Sequence, residues 1–272
     1  MNYVCALSIA GSDCSGGAGI QADLKTMSAL GVYAATAITA ITVQNTCGVT
    51  AVQAVAPEIV EGQIRAVMDD IEPKAVKIGM VNDKATILAI SKAIHYYCPT
   101  HLIIDPVMVA TSGARLMQSD ALACFEQELL PMATLLTPNV PEAELLSGKP
   151  IDSPEAMEAA AQVILAKGCQ AVLIKGGHLA GATKADRLFT AAGNIANYQA
   201  VSVDTRNTHG TGCTLSSAIT ARLALGVPLT TAIAEAKQYL TEALRHGADI
   251  QIGKGHGPVN HFYQPHSLQI QS

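Results

Sequence analysis

A glycine-bearing turn in the last third of the chain carries the strongest chemical signal. Residues 204–214 read DTRNTHGTGCT, and Gly210, Thr211, Gly212 and Cys213 stand just before an apolar pattern with helical spacing. Successive N–H groups at a helix N-terminus, together with the helix dipole, can hold a transferring phosphoryl group. In the first turn the dipole can also lower a thiol pKa. The alternative is a well-capped buried helix with an inert cysteine.

A second glycine-rich segment, residues 11–19 (GSDCSGGAG), links the first predicted strand to the first predicted helix. It suits either a close approach of the backbone to a ligand or a flexible turn. Gly17 stands where a Walker A loop needs lysine, and the spacing is not GxGxxG. P-loop chemistry and Rossmann dinucleotide binding are therefore not supported.

Three oxygen-bearing side chains follow predicted strands and suit a hard cation such as Mg²⁺ or its water shell. Asn139 and Glu142 lie in NVPE, and Asp105 ends another strand. The alternatives are structural: Asn139 can cap a helix with Glu142 in its first turn, which the spacing alone favours, and Asp105 can cap a turn. The eight histidines show no HExxH or related spacing, so no zinc site is predicted.

Three further polar residues are candidates for ligand contacts. Lys175, in KGGH, either meets phosphate or is solvated. Gln44 follows a nine-residue apolar strand, so its amide faces a ligand or is buried for structural reasons. Asp23 stands next to Leu24 on a predicted helix and can equally face solvent.

These residues are placed by short apolar strands that alternate with helical patterns. Strands are predicted at 4–9, 35–43, 75–78, 102–104, 134–137 and 171–174, and helices at 18–30, 58–70, 82–95, 121–130, 154–167, 212–225 and 229–246. The alternation predicts an α/β fold with a mostly parallel central sheet and helices on both faces. Ligands of such sheets bind outside the carboxyl ends of the strands, so the polar clusters should converge on one edge.

Composition supports this architecture and excludes several classes of function. The 272 residues are 49% hydrophobic and 14% charged, which indicates elements buried on more than one side and a single domain over 1–272. A net charge of −5 argues against a nucleic-acid partner. The seven cysteines form no CxxC pair and predict reduced thiols. Without a signal peptide or a long apolar span, we expect no membrane partner and a cytoplasmic location.

Eight segments, taken in order, resemble the bacterial hydroxymethylpyrimidine phosphate kinases. They are residues 11–25, 37–46, 76–80, 105–108, 137–143, 175–178, 204–214 and 255–261. The resemblance implies a three-layer ribokinase-like fold, usually dimeric. It also implies transfer of the γ-phosphate of ATP to 4-amino-5-hydroxymethyl-2-methylpyrimidine and then to its monophosphate, which yields the pyrophosphate used for thiamine synthesis.

The resemblance further implies roles for individual residues. Gln44 would pair with the aminopyrimidine edge, in a pocket lined by Gly11, Asp23, Met80 and Val107. Mg²⁺ would be organised by Asp105, Asn139 and Glu142. Lys175, Thr208 and Lys237 would lie near the nucleotide, and Gly210, Thr211, Gly212 and Cys213 would form the anion hole.

Two positions depart from the wider pattern. Cys14 stands where proline is more frequent, and Cys213 stands where sugar kinases of the wider group carry an aspartate base. The identity of the general base therefore stays open. The nearest rival is a pyridoxal or pyridoxine kinase with the same fold. A non-catalytic pyrimidine-binding protein should have lost the glycines or Glu142, and an NAD-dependent oxidoreductase needs fingerprint glycines that this chain lacks.

Overall fold

The fold is known from a computed structural model that describes residues 1–108, 117, 119–176 and 183–271. Its strands are β1 (Asn2–Tyr3), β2 (Cys5–Asp13), β3 (Tyr33–Asn45), β4 (Gly48–Ala54), β5 (Ala75–Ile78), β6 (Leu102–Ile104), β7 (Leu135–Leu136), β8 (Val172–Ile174), β9 (Thr183–Thr190), β10 (Gly193–Val201) and β11 (Ile270–Gln271). Its helices are α1 (Gly19–Ala29), α2 (Pro57–Asp70), α3 (Lys84–Tyr97), α4 (Ser119–Glu128), α5 (Val140–Ser147), α6 (Pro154–Leu165), α7 (Thr211–Ala224) and α8 (Leu229–Gly247).

Nine of these strands form one sheet in the order β10-β9-β8-β7-β6-β5-β2-β3-β4. The six strands from β8 to β3 are parallel to one another. Antiparallel β4 closes one edge, and the antiparallel hairpin β9–β10 closes the other. The mostly parallel sheet predicted from the sequence is confirmed.

Helices cover both faces of this sheet and create two hydrophobic cores. Within β5, Val76 and Ile78 point into the core made with α2 to α6, whereas Ala75 points into the core made with α1, α7 and α8. Successive residues of a strand alternate in this way, so a strand buried on both faces must be apolar throughout. This explains the low content of charged residues. The prediction of one domain over 1–272 stays a prediction.

Several predicted helix starts are confirmed by their caps. The Asp83 carboxylate accepts the Thr86 N–H at 3.0 Å, and the Ser153 hydroxyl accepts the Ala156 N–H at 3.1 Å. Pro154 occupies the first turn of α6, where its missing N–H is not needed. In the described part of the chain, no helix is both long and apolar enough to cross a bilayer.

Two parts of the sheet were not predicted from the sequence. The first central strand continues through Asp13, so the beginning of the glycine-rich segment is β-structure rather than loop. The three antiparallel strands β4, β9 and β10 were missed altogether. Most β4 side chains are exposed, so this strand carries no buried face that a hydrophobic pattern would reveal.

Candidate active site

The carboxyl ends of the parallel strands surround a cavity of about 680 Å³. It brings together thirteen of the fifteen residues singled out from the sequence: Gly11, Gln44, Met80, Asp105, Val107, Asn139, Glu142, Lys175, Thr208, Gly210, Thr211, Gly212 and Cys213. Asp23 and Lys237 do not line it. The expected convergence of the polar clusters on one edge of the sheet is therefore confirmed, although the roles of the residues stay predictions.

Gly210 caps the amino terminus of α7 in a conformation that requires glycine. Its φ is 76°, and a Cβ at this position would lie 1.9 Å from the carbonyl oxygen of Gly17. The glycine-rich segment 11–19 and the turn that begins at Gly210 are thus packed backbone to backbone. Gly212 and Cys213 follow in the first turn, where helical N–H groups are available to a ligand.

The Cys213 thiol lies at the base of this turn and faces the cavity. Burial raises its pKa to about 11, and the Asp23 and Asp105 carboxylates act in the same direction. Lys77 and the backbone N–H of Gly19 oppose them. Because the net shift is upward, the first-turn position does not by itself make this thiol acidic.

Lys175 and Asp105 form a buried ion pair of 2.7 Å across the cavity floor. The Asp105 carboxylate also accepts the Thr137 hydroxyl at 3.1 Å and the Ser216 hydroxyl at 3.4 Å. Burial alone would raise the pKa of Asp105, but Lys175 and Lys77 outweigh burial and hold it below its usual range. Asp105 is therefore an anion with one oxygen engaged by Lys175.

Asn139 and Glu142 form the helix start that their spacing favoured, whereas their role toward a cation stays a prediction. They form a reciprocal capping box at the start of α5: the Asn139 N–H donates to Glu142 at 2.8 Å, and the Glu142 N–H donates to the Asn139 side chain at 2.9 Å. Glu142 also lines the cavity, and burial raises its pKa to about 7, with Lys175 opposing and Asp105 reinforcing the shift.

These side chains fit a Mg²⁺ ion that is held mainly by water and phosphate oxygens. Asp105 and Glu142 are acidic and line the same cavity, and both Asp105 oxygens already accept hydrogen bonds, so these carboxylates would act mainly on the water shell of the ion. Among the described residues, no three His, Cys, Asp or Glu side chains cluster as a complete metal cage. Mg²⁺ bound with a nucleotide needs only one or two carboxylates. The Asn139 side-chain oxygen is occupied by capping, so it orients Glu142.

Gln44 also lines the cavity, and its amide is held in place by two neighbouring side chains. The Thr42 hydroxyl donates to the Gln44 side-chain oxygen at 3.1 Å, and the amide nitrogen is 3.3 Å from Nε2 of His209. Nε2 of His209 is also 2.8 Å from the Asp13 carboxylate. Burial disfavours charge on Asp13, but hydrogen bonds from His209, Ser15 and Ala18 lower its pKa to about 2.

Asp13, Lys77, Asp186 and His209 also line the cavity, and the sequence analysis did not single them out. His209 and Asp13 lie inside the two glycine-rich motifs, so their position was the available signal. Lys77 interrupts the otherwise apolar strand β5, and a lysine there is the sequence feature that would have revealed it.

The structure places Asp23 and Lys237 beside the cavity rather than in its wall. Asp23 is completely buried beneath it, paired with Lys77 at 2.8 Å, so a solvent-facing Asp23 is excluded. Lys237 pairs with Asp186 at 2.5 Å and lines a separate cleft of about 390 Å³ between α8 and β10. Gly177 and His178, part of the Lys175 motif, lie outside the described residues.

Sequence comparison decides which family has this site. The sequence profile described as phosphomethylpyrimidine kinase matches residues 13–260. The chain belongs to the phosphomethylpyrimidine kinase family. It is 53% identical to the hydroxymethylpyrimidine/phosphomethylpyrimidine kinase of Rhizobium meliloti (strain 1021), over 95% of this chain and 97% of that protein. Identity to the enzyme of the same name from Escherichia coli (strain K12) is 42%, over 97% and 99%.

Solved structures share the fold. The phosphomethylpyrimidine kinase of Clostridium difficile 630 is 45% identical, with a TM-score of 0.79 over 89% of this chain and 99% of that one. A Bacillus subtilis pyridoxal kinase in complex with ADP is 35% identical, with a TM-score of 0.87 over 96% and 98%. The ribokinase-like fold and the kinase class predicted from the sequence are confirmed, and the higher identities favour the pyrimidine kinases over the pyridoxal kinases.

Proposed function

We propose that this chain uses ATP to phosphorylate 4-amino-5-hydroxymethyl-2-methylpyrimidine and then its monophosphate, with Mg²⁺ assisting both transfers. The observation that carries the proposal is the cavity itself. It joins an amide suited to reading a heteroaromatic ring, at Gln44, to the anion-binding turn before Cys213 and to the Lys175–Asp105 pair. The names of the relatives in the family support the choice of substrate.

The substrate end of the cavity combines one hydrogen-bonding amide with apolar walls. Gln44 offers both a donor and an acceptor to the aminopyrimidine edge. Met80 and Val107 supply apolar contacts to the ring. A Cβ at Gly11 would lie 2.1 Å from the Met80 methyl group. Only glycine at position 11 therefore leaves room for the Met80 side chain to line the cavity.

Phosphoryl transfer forms a bond between the substrate oxygen and the γ-phosphorus while the bond to the ADP oxygen breaks. The N–H groups of the turn from Gly210 to Cys213 and the ammonium of Lys175 can stabilise the charge on the phosphoryl oxygens. The hydroxyl proton leaves late in a loose transition state. Cys213 is positioned to accept that proton in its thiolate form, and its raised pKa makes this form scarce at neutral pH.

Asp105 and Glu142 are the residues that would hold Mg²⁺ or its water shell. When bound, the ion would offset the negative charge of the ATP phosphates. Lys175 contacts Asp105 and lies close to Gly212 in the turn before Cys213, so it would bind phosphate oxygens. Thr208 also lines the cavity, whereas Lys237 would act on the nucleotide only through Asp186.

A homodimer and a cytoplasmic location complete the proposal. Ile41 and Val43, on the outer end of β3, are each more than half exposed although both are large and apolar. An apolar strand surface next to an edge strand favours association with a second copy. The seven cysteines are free thiols in the structure, as suits a reducing compartment.

The proposal is tested by measuring ADP release with purified protein, ATP and Mg²⁺. Hydroxymethylpyrimidine, its monophosphate and pyridoxine are compared by kcat/KM, and the products are identified by mass spectrometry. We expect turnover of the first two with a higher kcat/KM than pyridoxine. The analogue with a methyl group in place of hydroxymethyl is the control and should release no ADP above background. A preference for pyridoxine would instead assign the pyridoxal kinase activity of the structural relatives.

A further inference from the structure

A group of four buried polar residues lies directly beneath the cavity, and phosphoryl transfer as described above does not use it. Both oxygens of the Asp23 carboxylate accept from Nζ of Lys77, at 2.8 and 2.9 Å. The hydroxyls of Ser8 and Ser217 each donate to it at 2.6 Å. We call these four residues the Asp23 cluster. Its members come from α1, β5, β2 and α7, so it connects four elements under the site.

Lys77 is a completely buried cation with a fixed position. Its side chain and that of Asp23 are both 0% exposed. Burial works against its charge, but the Asp23 carboxylate, Cys213 and the Asp105 carboxylate together outweigh burial and raise the pKa of Lys77, so the ammonium stays charged. A Cβ at Gly79 would lie 2.8 Å from Nζ, so glycine at that position leaves room for it. Replacing a buried ion pair by apolar groups often stabilises a protein, so stability alone does not explain this pair.

The Asp23 cluster also determines where Lys77 lies relative to Cys213. Ser217 is one helical turn after Cys213 on α7, so its bond to Asp23 anchors the first part of that helix. Lys77 itself lines the cavity, as Cys213 does. The charged groups that act on Cys213 are Lys77 and Asp23, Asp105 after β6, and Lys175 after β8. Of the two cations, Lys77 has the larger effect on the thiol.

We propose that Lys77 is a positioning residue for phosphoryl transfer: Asp23 holds its ammonium beneath the first turn of α7, where its charge favours the thiolate of Cys213. The inference rests on the proposed function. The Cys213 thiolate takes the hydroxyl proton of the substrate as the new oxygen–phosphorus bond forms and the bond to ADP breaks. Lys77 takes no proton in this step and acts only through Cys213. The competing explanation is that the cluster merely holds four elements together.

The two explanations differ in a double-mutant cycle of Lys77→Met and Cys213→Ala. If Lys77 acts through Cys213, Lys77→Met should lower kcat by ~10-fold or more in the wild-type background and by less than ~2-fold in Cys213→Ala. KM for ATP should stay within ~3-fold in both backgrounds. Lys167→Met, which breaks a 2.6 Å ion pair with Glu126 outside the cavity, is the matched control and should leave kcat unchanged. An equal loss of kcat in both backgrounds overturns the proposal.

Alkylation of Cys213 tests the same inference without any substrate. Iodoacetamide labelling of Cys213 is followed by peptide mass spectrometry between pH 8 and pH 10, which resolves it from the exposed cysteines. Lys77→Met should slow labelling of Cys213 by ~10-fold or more, because the thiolate fraction falls tenfold for each unit that the thiol pKa rises. Lys167→Met should not slow it. An unchanged rate in Lys77→Met overturns the proposal even if the kinetic cycle agrees.

Lys77→Met leaves the buried Asp23 carboxylate without its partner, which can prevent folding. A second variant keeps the proposal testable in that event. Asp23→Asn combined with Lys77→Met removes both charges together, which buried pairs tolerate better than the loss of one partner. Labelling of Cys213 should then slow by less than in Lys77→Met, because the Asp23 carboxylate raises the thiol pKa and Lys77 lowers it by more. Labelling as fast as in wild type, or faster, overturns the proposal. If the wild-type protein fails to phosphorylate the hydroxymethylpyrimidine, the proposed function falls, while the labelling rates still decide whether Lys77 acts on Cys213.

Discussion

Under the proposed function, Glu142 combines a structural and a chemical role in a single side chain. One oxygen caps α5 through the Asn139 N–H, and the group also lines the cavity beside Lys175. We expect Glu142→Gln to keep the capping bond, to raise the Mg²⁺ concentration for half-maximal activity by ~10-fold, and to lower kcat. Mg²⁺ titrations of initial rate provide the measurement. Glu155→Gln, in the exposed first turn of α6, is the control. An unchanged Mg²⁺ requirement in Glu142→Gln would exclude this role.

Gln44 should determine selectivity for the ring. Loss of its amide leaves polar edges of the bound pyrimidine unpaired, at a cost of ~1–3 kcal/mol. Gln44→Leu should therefore raise KM for the hydroxymethylpyrimidine by ~5- to 150-fold and leave KM for ATP nearly constant. Steady-state kinetics with each substrate varied in turn gives both values. Gln63→Leu, which removes an amide bound to the Ile38 backbone away from the cavity, controls for general destabilisation. A parallel rise in both KM values would contradict the assignment.

Single residues also show how far the sequence can identify a site. Cys213 and Glu142 were found because each belongs to a local motif whose spacing already implies a helix start. Asp13 and His209 are 196 positions apart, and only the folded sheet brings them within 2.8 Å. Asp23 was assigned to the pocket by resemblance, yet its hydrogen bonds to Ser8, Lys77 and Ser217 hold it beneath the cavity. The spacing of residues along the chain does not predict this burial.

At the scale of secondary structure, the two ends of α7 offer a direct comparison of two glycines. Gly210 and Gly226 both have positive φ, 76° and 81°. A Cβ at Gly210 would meet the Gly17 carbonyl at 1.9 Å, whereas a Cβ at Gly226 would meet nothing within 4 Å. Alanine at either position costs ~1–2 kcal/mol for the left-handed conformation. Gly210→Ala adds a collision with backbone.

We therefore expect Gly226→Ala to lower the free energy of unfolding by ~1–2 kcal/mol and to keep kcat. Gly210→Ala should lower stability further and reduce kcat by ~100-fold or more, because the amides of the anion-binding turn are displaced. Urea unfolding and steady-state kinetics on both variants measure the difference. Similar kcat values for the two variants would show that the exact position of this turn is not needed for transfer.

Most elements with a buried face were predictable, although β9, which buries Leu188 and Phe189, was missed, and the exposed strand β4 was not predictable. β5 and β6 lie between two cores and appear in the sequence as short, mostly apolar runs, with Lys77 the one charged residue in them. The start of α6 was predictable from Ser153 as the capping residue and Pro154 in the first turn. β4 lies on the edge of the sheet with mostly exposed side chains, so its pairing with β3 depends on backbone hydrogen bonds that leave no pattern in the side chains.

For the whole molecule, Asp13 predicts how stability depends on pH. Its folded-state pKa of about 2 lies below the ordinary value of 3.8, so the folded state favours the charged form. This contribution, about 2 kcal/mol, is fully present above the unfolded pKa and is lost as pH falls from ~4 towards 2. Asp13→Asn should thus be less stable than wild type at pH 7, and the difference in unfolding free energy between the two proteins should become smaller below pH 4. Urea unfolding of both proteins at pH 3 to 7 measures this difference. A difference that stays constant with pH would contradict the lowered pKa of Asp13.

The last prediction concerns assembly into a dimer. The exposed apolar end of β3, where we expect the second copy to pack, also carries Gln44. Ile41 and Val43 precede Gln44 on the same strand, so a second copy packed over them would hold the substrate-reading amide in place. We expect wild-type protein to sediment as a dimer. The double variant Ile41→Lys/Val43→Lys should sediment as a monomer, because each lysine would face a lysine of the second copy and the like charges would repel. The same variant should raise KM for the pyrimidine more than KM for ATP. Val201→Lys, at an exposed apolar position on β10, should remain dimeric. A double variant that still sediments as a dimer would place the interface elsewhere, and a monomer with unchanged KM would separate assembly from the positioning of Gln44.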